Sequence, residues 1–233
     1  MAAHELLREL SDKVDPSRAV VLTIDVQNDF FHDRGYMGRL GVPLGSIQAM
    51  VPKLQSFLAA ARLAEVPVMH VVSHHDEQYA SAVVTEQKLR NGHDLTSDGR
   101  AMKDAAYCRQ GTFGVEQYEI KALPGEEIIV KHRYNAFQGT GLDQLLRARG
   151  AQTVIVTGAG SNVCVESTAR EVYSHDYYLV FLSDCTATTD DAAHQHTLGM
   201  IDMFFGQVAS SDEVISAWQD AAPPTGRPGA AAG

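Results

Sequence analysis

The strongest constraint in this chain is an alternation between short, continuous apolar runs and stretches of helical spacing. Residues 19–24 (AVVLTI), 66–72 (VPVMHVV), 127–130 (EIIV), 153–157 (TVIVT) and 178–182 (YLVFL) read as strands, with 207–209 as a last short one. Strands buried on both faces need apolar residues at every position, not at every second one. Helical spacing over 47–63, 140–149, 163–174, 190–204 and 212–219 predicts the intervening helices, and Gly150 closes the second of them. Such an alternation predicts an α/β fold, a parallel sheet covered by helices on both faces in three layers (α/β/α). Sheets of this kind carry their functional residues just beyond the strand C-termini.

The 233 residues suffice for one large α/β domain, and 1–220 reads as that single domain. Residues 4–14 read as a short amphipathic helix ahead of it, and 73–125 as a polar lid or substrate-side excursion. The stretch 221–233 (AAPPTGRPGAAAG) lacks apolar anchors and reads as a flexible tail. A net charge of −10 without a basic run offers no footprint for nucleic acid or an anionic membrane. The apolar runs are too short to span a bilayer. Glu5, Arg8 and Glu9 among the N-terminal leucines spoil a signal peptide, so a cytoplasmic location is expected. Three cysteines, Cys108, Cys164 and Cys185, argue against a disulfide framework and leave a catalytic thiol open.

Three reactive side chains follow predicted strands. Asp25 follows AVVLTI, Lys131 follows EIIV, and Cys164 lies shortly after TVIVT at the start of a helix. In a parallel sheet these strand ends share one edge, so a carboxylate, an ammonium and a thiol are expected to converge. A helix N-terminus and a lysine both favour the thiolate. The carboxylate can take the thiol proton and return it to a leaving amine. The Gly-rich turn at 158–164 offers backbone N–H groups for an oxyanion hole. Each residue alone has a plainer reading: a turn-capping Asp, a solvated Lys, a small buried Cys.

Residues 24–30 (IDVQNDF) and 158–170 (GAGSNVCVESTAR), with Lys131 between them, resemble the motifs of the isochorismatase-like cysteine hydrolases. The resemblance runs from about Ala19 to Trp218. It implies a six-stranded parallel sheet, a homo-oligomer (dimer or tetramer), and an Asp25-Lys131-Cys164 triad. It also implies a cis peptide at Ala159–Gly160, with the Gly160 and Cys164 N–H groups as the oxyanion hole.

The retained Cys164 points to C–N hydrolysis rather than the vinyl-ether cleavage of true isochorismatases. Nicotinamidases in this family carry a metal-binding Asp-x-His; here 73–77 reads SHHDE, without it, so no metal is expected. His74 and His75, with His93 downstream, stay open as a polar loop, a substrate contact or metal ligands. The segments 76–79 (DEQY), 133–134 (RY) and 201–206 (IDMFFG) resemble the ureidoacrylate amidohydrolase branch. The expected activity is therefore hydrolysis of a small amide or ureide, ureidoacrylate-like, through a thioester and without a cofactor. A vinyl-ether hydrolase and a catalytically silent binding member are the alternatives. Ureides need polar partners in an otherwise apolar cavity. Gln27, Asn28, His75, Arg133, Tyr134 and Asn135 are the candidates. Arg133 reads equally well as a partner for a substrate carboxylate or as half of a structural salt bridge, and Tyr134 equally as packing.

Overall fold

The computed structural model describes residues 6–90 and 107–221. Six parallel strands, β1 (Ala19–Ile24), β2 (Val68–Ser73), β3 (Glu127–Lys131), β4 (Thr153–Ala159), β5 (Tyr178–Ala187) and β6 (Gln207–Ala209), form one sheet in the order β3-β2-β1-β4-β5-β6. The longer helices are α1 (Gly45–Leu63), α2 (Ala82–Arg90), α3 (Leu142–Ala148), α4 (Glu166–Ser174), α5 (Asp191–Phe204) and α6 (Ser211–Ala221).

The apolar run of β1 is continuous because its two faces meet different cores. Val21 packs into a core with Leu54 and Phe57 of α1 and Trp218 of α6. Val20, Leu22 and Ile24 enter a second core with Leu146 of α3, Val172 of α4 and Ile201 of α5. Both cores are buried against the sheet, which gives the three-layer α/β/α arrangement expected from the sequence.

The chain steps outward from β1 to β2 and β3, then returns to lay β4 on the other side of β1. Connections on the two sides of this switch therefore leave toward opposite faces of the sheet. A crevice opens between the C-terminal ends of β1 and β4. Asp25 sits at the end of β1, and the turn carrying Cys164 follows β4.

Several boundaries differ from those expected. The helix anticipated over 4–14 is confined to Leu10–Lys13, with residues 1–5 outside the described part. β5 runs on to Ala187, past the apolar stretch that ends at Leu182. Its polar continuation is held by partners: the Asp184 carboxylate accepts bonds from the Ser211 amide and hydroxyl at 2.8 and 2.7 Å. The 73–125 excursion contains α2, while 91–106, like the proposed tail beyond 221, lies outside the described residues.

Gly158 fixes how closely β4 approaches β1. It pairs with Ile24 at φ +116°, and a Cβ there would lie 2.0 Å from the Ile24 carbonyl oxygen. A side chain meets both a forbidden backbone region and a neighbouring strand. Gly158→Ala should lower unfolding free energy by about 2 kcal/mol or more in urea denaturation. Stability within about 0.5 kcal/mol of wild type would show that the sheet relaxes freely here.

Candidate active site

Three adjacent strand ends build the charged part of the site. Asp25 follows β1, Ser73 ends β2 and Lys131 ends β3, and all three are buried. The Lys131 ammonium lies 2.7 Å from Asp25 Oδ2, 2.8 Å from Ser73 Oγ and 3.1 Å from the Arg133 carbonyl oxygen. An ammonium can only donate, so the Ser73 hydroxyl accepts from Lys131 and donates its own proton to Asp25 Oδ1, at 2.8 Å. That direction of bonding fits the carboxylate form of Asp25. Oδ2 faces the ammonium as an ion pair without a directed hydrogen bond, so it retains a lone pair for a proton.

Asp25 itself sits at φ 55°, a left-handed conformation that aspartate tolerates better than most residues. Gln27 fixes the opposite side. Its amide donates to the Ser73 carbonyl at 3.0 Å and accepts from the Ser73 N–H at 2.8 Å, copying a strand pairing. The same amide donates to the Val115 carbonyl at 2.8 Å.

Cys164 approaches this pair from a single π-turn, Ser161–Val165, that precedes α4. Gly160 opens the turn in the left-handed region at φ 61°, and its carbonyl accepts from the amides of Val163 and Val165. The expected helix over 163–174 is thus wound more loosely in its first turn. π-turns recur at functional sites because they re-aim a side chain. The Cys164 thiol is half-buried and interacts with both Asp25 and Lys131. Burial pushes this thiol up strongly, and the Asp25 carboxylate pushes it further, while Lys131 opposes both. These opposing effects leave the thiol raised above its ordinary range, against the expected preference for thiolate. Burial works to lower Lys131, but Asp25 and Cys164 outweigh it and hold the lysine above its ordinary range.

A cavity of about 340 Å³ lies over these groups, with Asp25, Ser73 and Cys164 in its lining. Gly160 borders it, and a Cβ there would sit 3.6 Å from the Cys164 amide nitrogen. The glycine leaves that amide uncovered.

Residues 19–213 match the family model described as the isochorismatase domain. The chain belongs to the isochorismatase family. It is 30% identical over 200 residues to a ureidoacrylate amidohydrolase, RutB, of Methylobacterium radiotolerans, covering 84% of this chain and 78% of the relative. With the same-named protein of Agrobacterium fabrum the identity is 30%, over 90% and 94% of the two chains. A crystal structure of a cysteine hydrolase from Pseudomonas syringae pv. phaseolicola is similar at TM-score 0.75 and 26% identity, covering 94% of this chain and 100% of that one.

Set within this isochorismatase-family frame, the residues expected to touch substrate divide. His75 and Tyr134 line the cavity. Gln27 and Asn28 do not. Gln27 is engaged with Ser73 and Val115 as above, and the Asn28 amide donates to the Phe113 carbonyl at 2.8 Å. Arg133 donates through Nη1 to the carbonyls of Tyr79 and His132 at 3.1 and 2.7 Å, and among the described residues it pairs with no carboxylate. Asn135 closes a local turn, accepting from the Phe137 amide at 2.8 Å. The peptide expected to be cis at Ala159–Gly160 is trans, and the left-handed Gly160 supplies the change of direction instead. Among the described residues no group of His, Cys, Asp or Glu is arranged to hold a metal; His93 lies outside them.

Sequence reasoning missed Ser73 and Tyr107. Ser73 carries the same signal as Asp25 and Lys131, a polar residue where an apolar strand stops. Tyr107 lies in a polar stretch without periodicity and gives no such signal.

The electrostatics make a signed prediction. Deleting the Asp25 charge removes a group that raises the Cys164 thiol and leaves Lys131, which lowers it. Asp25→Asn should move the pH midpoint of Cys164 alkylation by iodoacetamide downward by about one unit or more, the size expected of a nearby buried charge. An unchanged or higher midpoint would contradict the arrangement.

Proposed function

We propose that this protein is a cysteine-dependent amidohydrolase cleaving a C–N bond of a small amide or ureide through a thioester. The observation that carries the reading is the half-buried Cys164 thiol set against a buried Asp25–Lys131 pair at the floor of a cavity. Asp25 takes the thiol proton as sulfur attacks the carbonyl carbon. Because burial and Asp25 raise the thiol, Lys131 and Ser73 serve to hold the base in place. The Gly160 and Cys164 N–H groups receive the developing oxyanion. Asp25 then passes its proton to the leaving nitrogen, and the C–N bond breaks. Water, deprotonated by Asp25, attacks the thioester and restores the thiol.

Thiol, carboxylate and backbone donors supply all of this chemistry, so the reading needs no metal or organic cofactor. It includes a homo-oligomer acting on a small molecule, as the family resemblance implies, with a cytoplasmic location. The named relatives support the ureido class, and ureidoacrylate is the first compound of that class to assay.

The test is ammonia production, direct or from carbamate breakdown, over a panel of ureides and carboxamides. Cys164→Ala should lower kcat/KM on the best substrate by about 10³-fold or more while retaining the wild-type melting transition. If isochorismate is cleaved and no ureide or carboxamide yields ammonia, the vinyl-ether reading replaces this one.

A further inference from the structure

The walls of the cavity say what the remainder of the substrate is made of, given the amidohydrolase reading. Tyr107 is the hub of an aromatic wall. Its ring centroid lies 5.6 Å from that of Phe30, 5.4 Å from Tyr36 and 4.5 Å from the His75 ring. All four rings line the cavity, and Met37 and Ile47 extend the apolar surface beyond them. Burial raises the Tyr107 hydroxyl, and Tyr107 shares the cavity lining with Cys164 and Asp25. The apolar wall therefore runs up to the reacting thiol.

The charged groups near this wall are ill suited to an anion. Asp25 is the one charged side chain lining the cavity among the described residues. Lys131 is buried beneath and already faces Asp25, Ser73 and the Arg133 carbonyl. The Arg133 guanidinium is turned to the Tyr79 and His132 carbonyls. A carboxylate here would lose water, meet the negative faces of aromatic rings and approach the Asp25 carboxylate. A flat apolar group would instead stack offset or edge-on against the same rings.

We propose that the site takes an uncharged amide or ureide whose body is an apolar, ring-sized group packed on the Phe30–Tyr36–Tyr107 wall. The carboxylate named in ureidoacrylate is then not the feature this enzyme selects.

Two matched pairs test this, each exchanging a phenyl ring for a carboxylate on one two-carbon spacer. They are 3-phenylpropanamide against succinamate, and phenethylurea against N-carbamoyl-β-alanine. Two readouts are taken: kcat/KM for ammonia production, and protection of Cys164 from iodoacetamide, which reads binding without turnover. The phenyl members should protect at about tenfold lower concentration or less, and be favoured by a similar factor in kcat/KM where turnover occurs. Phe30→Ala should erase most of that preference. Equal or better protection by the carboxylate members, or none by either, overturns the proposal. Turnover of the carboxylate members with equal or better protection removes this inference and leaves the hydrolase reading standing. Phenyl-selective protection without ammonia from these four compounds supports the inference on binding and counts against the hydrolase reading, which the wider panel with isochorismate then decides.

Discussion

The Asp25–Lys131 ion pair is the interaction around which this site is arranged. Both groups are taken out of water, at 2.7 Å from each other and with almost no exposure. A buried pair repays its desolvation only when its remaining donors and acceptors are met. Here the partners come from adjacent strand ends: the Ser73 hydroxyl from β2 and the Arg133 carbonyl just past β3. Ser73 is held in turn by Gln27, two residues beyond Asp25. The pair, the serine and the glutamine form a closed set in which each member fixes another. Removing one charge would leave the other buried and alone, a loss of about 3–5 kcal/mol in comparable settings. The register that aligns β1, β2 and β3 is thus tied to the chemistry at their ends.

The same charges set the state of the thiol. A cysteine beside a lysine alone would favour its anion. Beside a carboxylate as well, and buried, it is raised above its ordinary range. On the proposed mechanism this favours transfer of a proton during attack over a stored thiolate. The π-turn has a geometric part in this. By widening the first turn after Gly160 it sets Cys164 against the pair, with Gly160 and Cys164 both in the cavity lining.

The fold was legible because its central strands are buried on both faces. Val20 and Val21 point into different cores, so neither could be polar, and the run announces itself. β5 extends beyond its apolar run because Asp184 is satisfied by Ser211, a contact 27 residues away that no local pattern shows. At the site, the strand-end rule located Asp25, Lys131 and Cys164 and applies equally to Ser73. It failed for Gln27 and Asn28 because backbone carbonyls of the 113–115 turn claim their amides. Arg133 and Asn135 likewise spend polar atoms on backbone groups nearby. Being polar near a strand end does not decide direction. The position of Tyr107 depends on ring contacts with Phe30, Tyr36 and His75, brought together from distant parts of the chain.

On the proposed mechanism the Cys164 sulfur carries the acyl group between the two halves of the reaction. Intact-protein and peptide mass spectrometry of acid-quenched turnover reads this without a proxy. An added mass equal to the acyl or carbamoyl fragment of the substrate is expected on the peptide bearing Cys164 and not on those bearing Cys108 and Cys185. Productive turnover in Cys164→Ala, or an adduct confined to another residue, would contradict it.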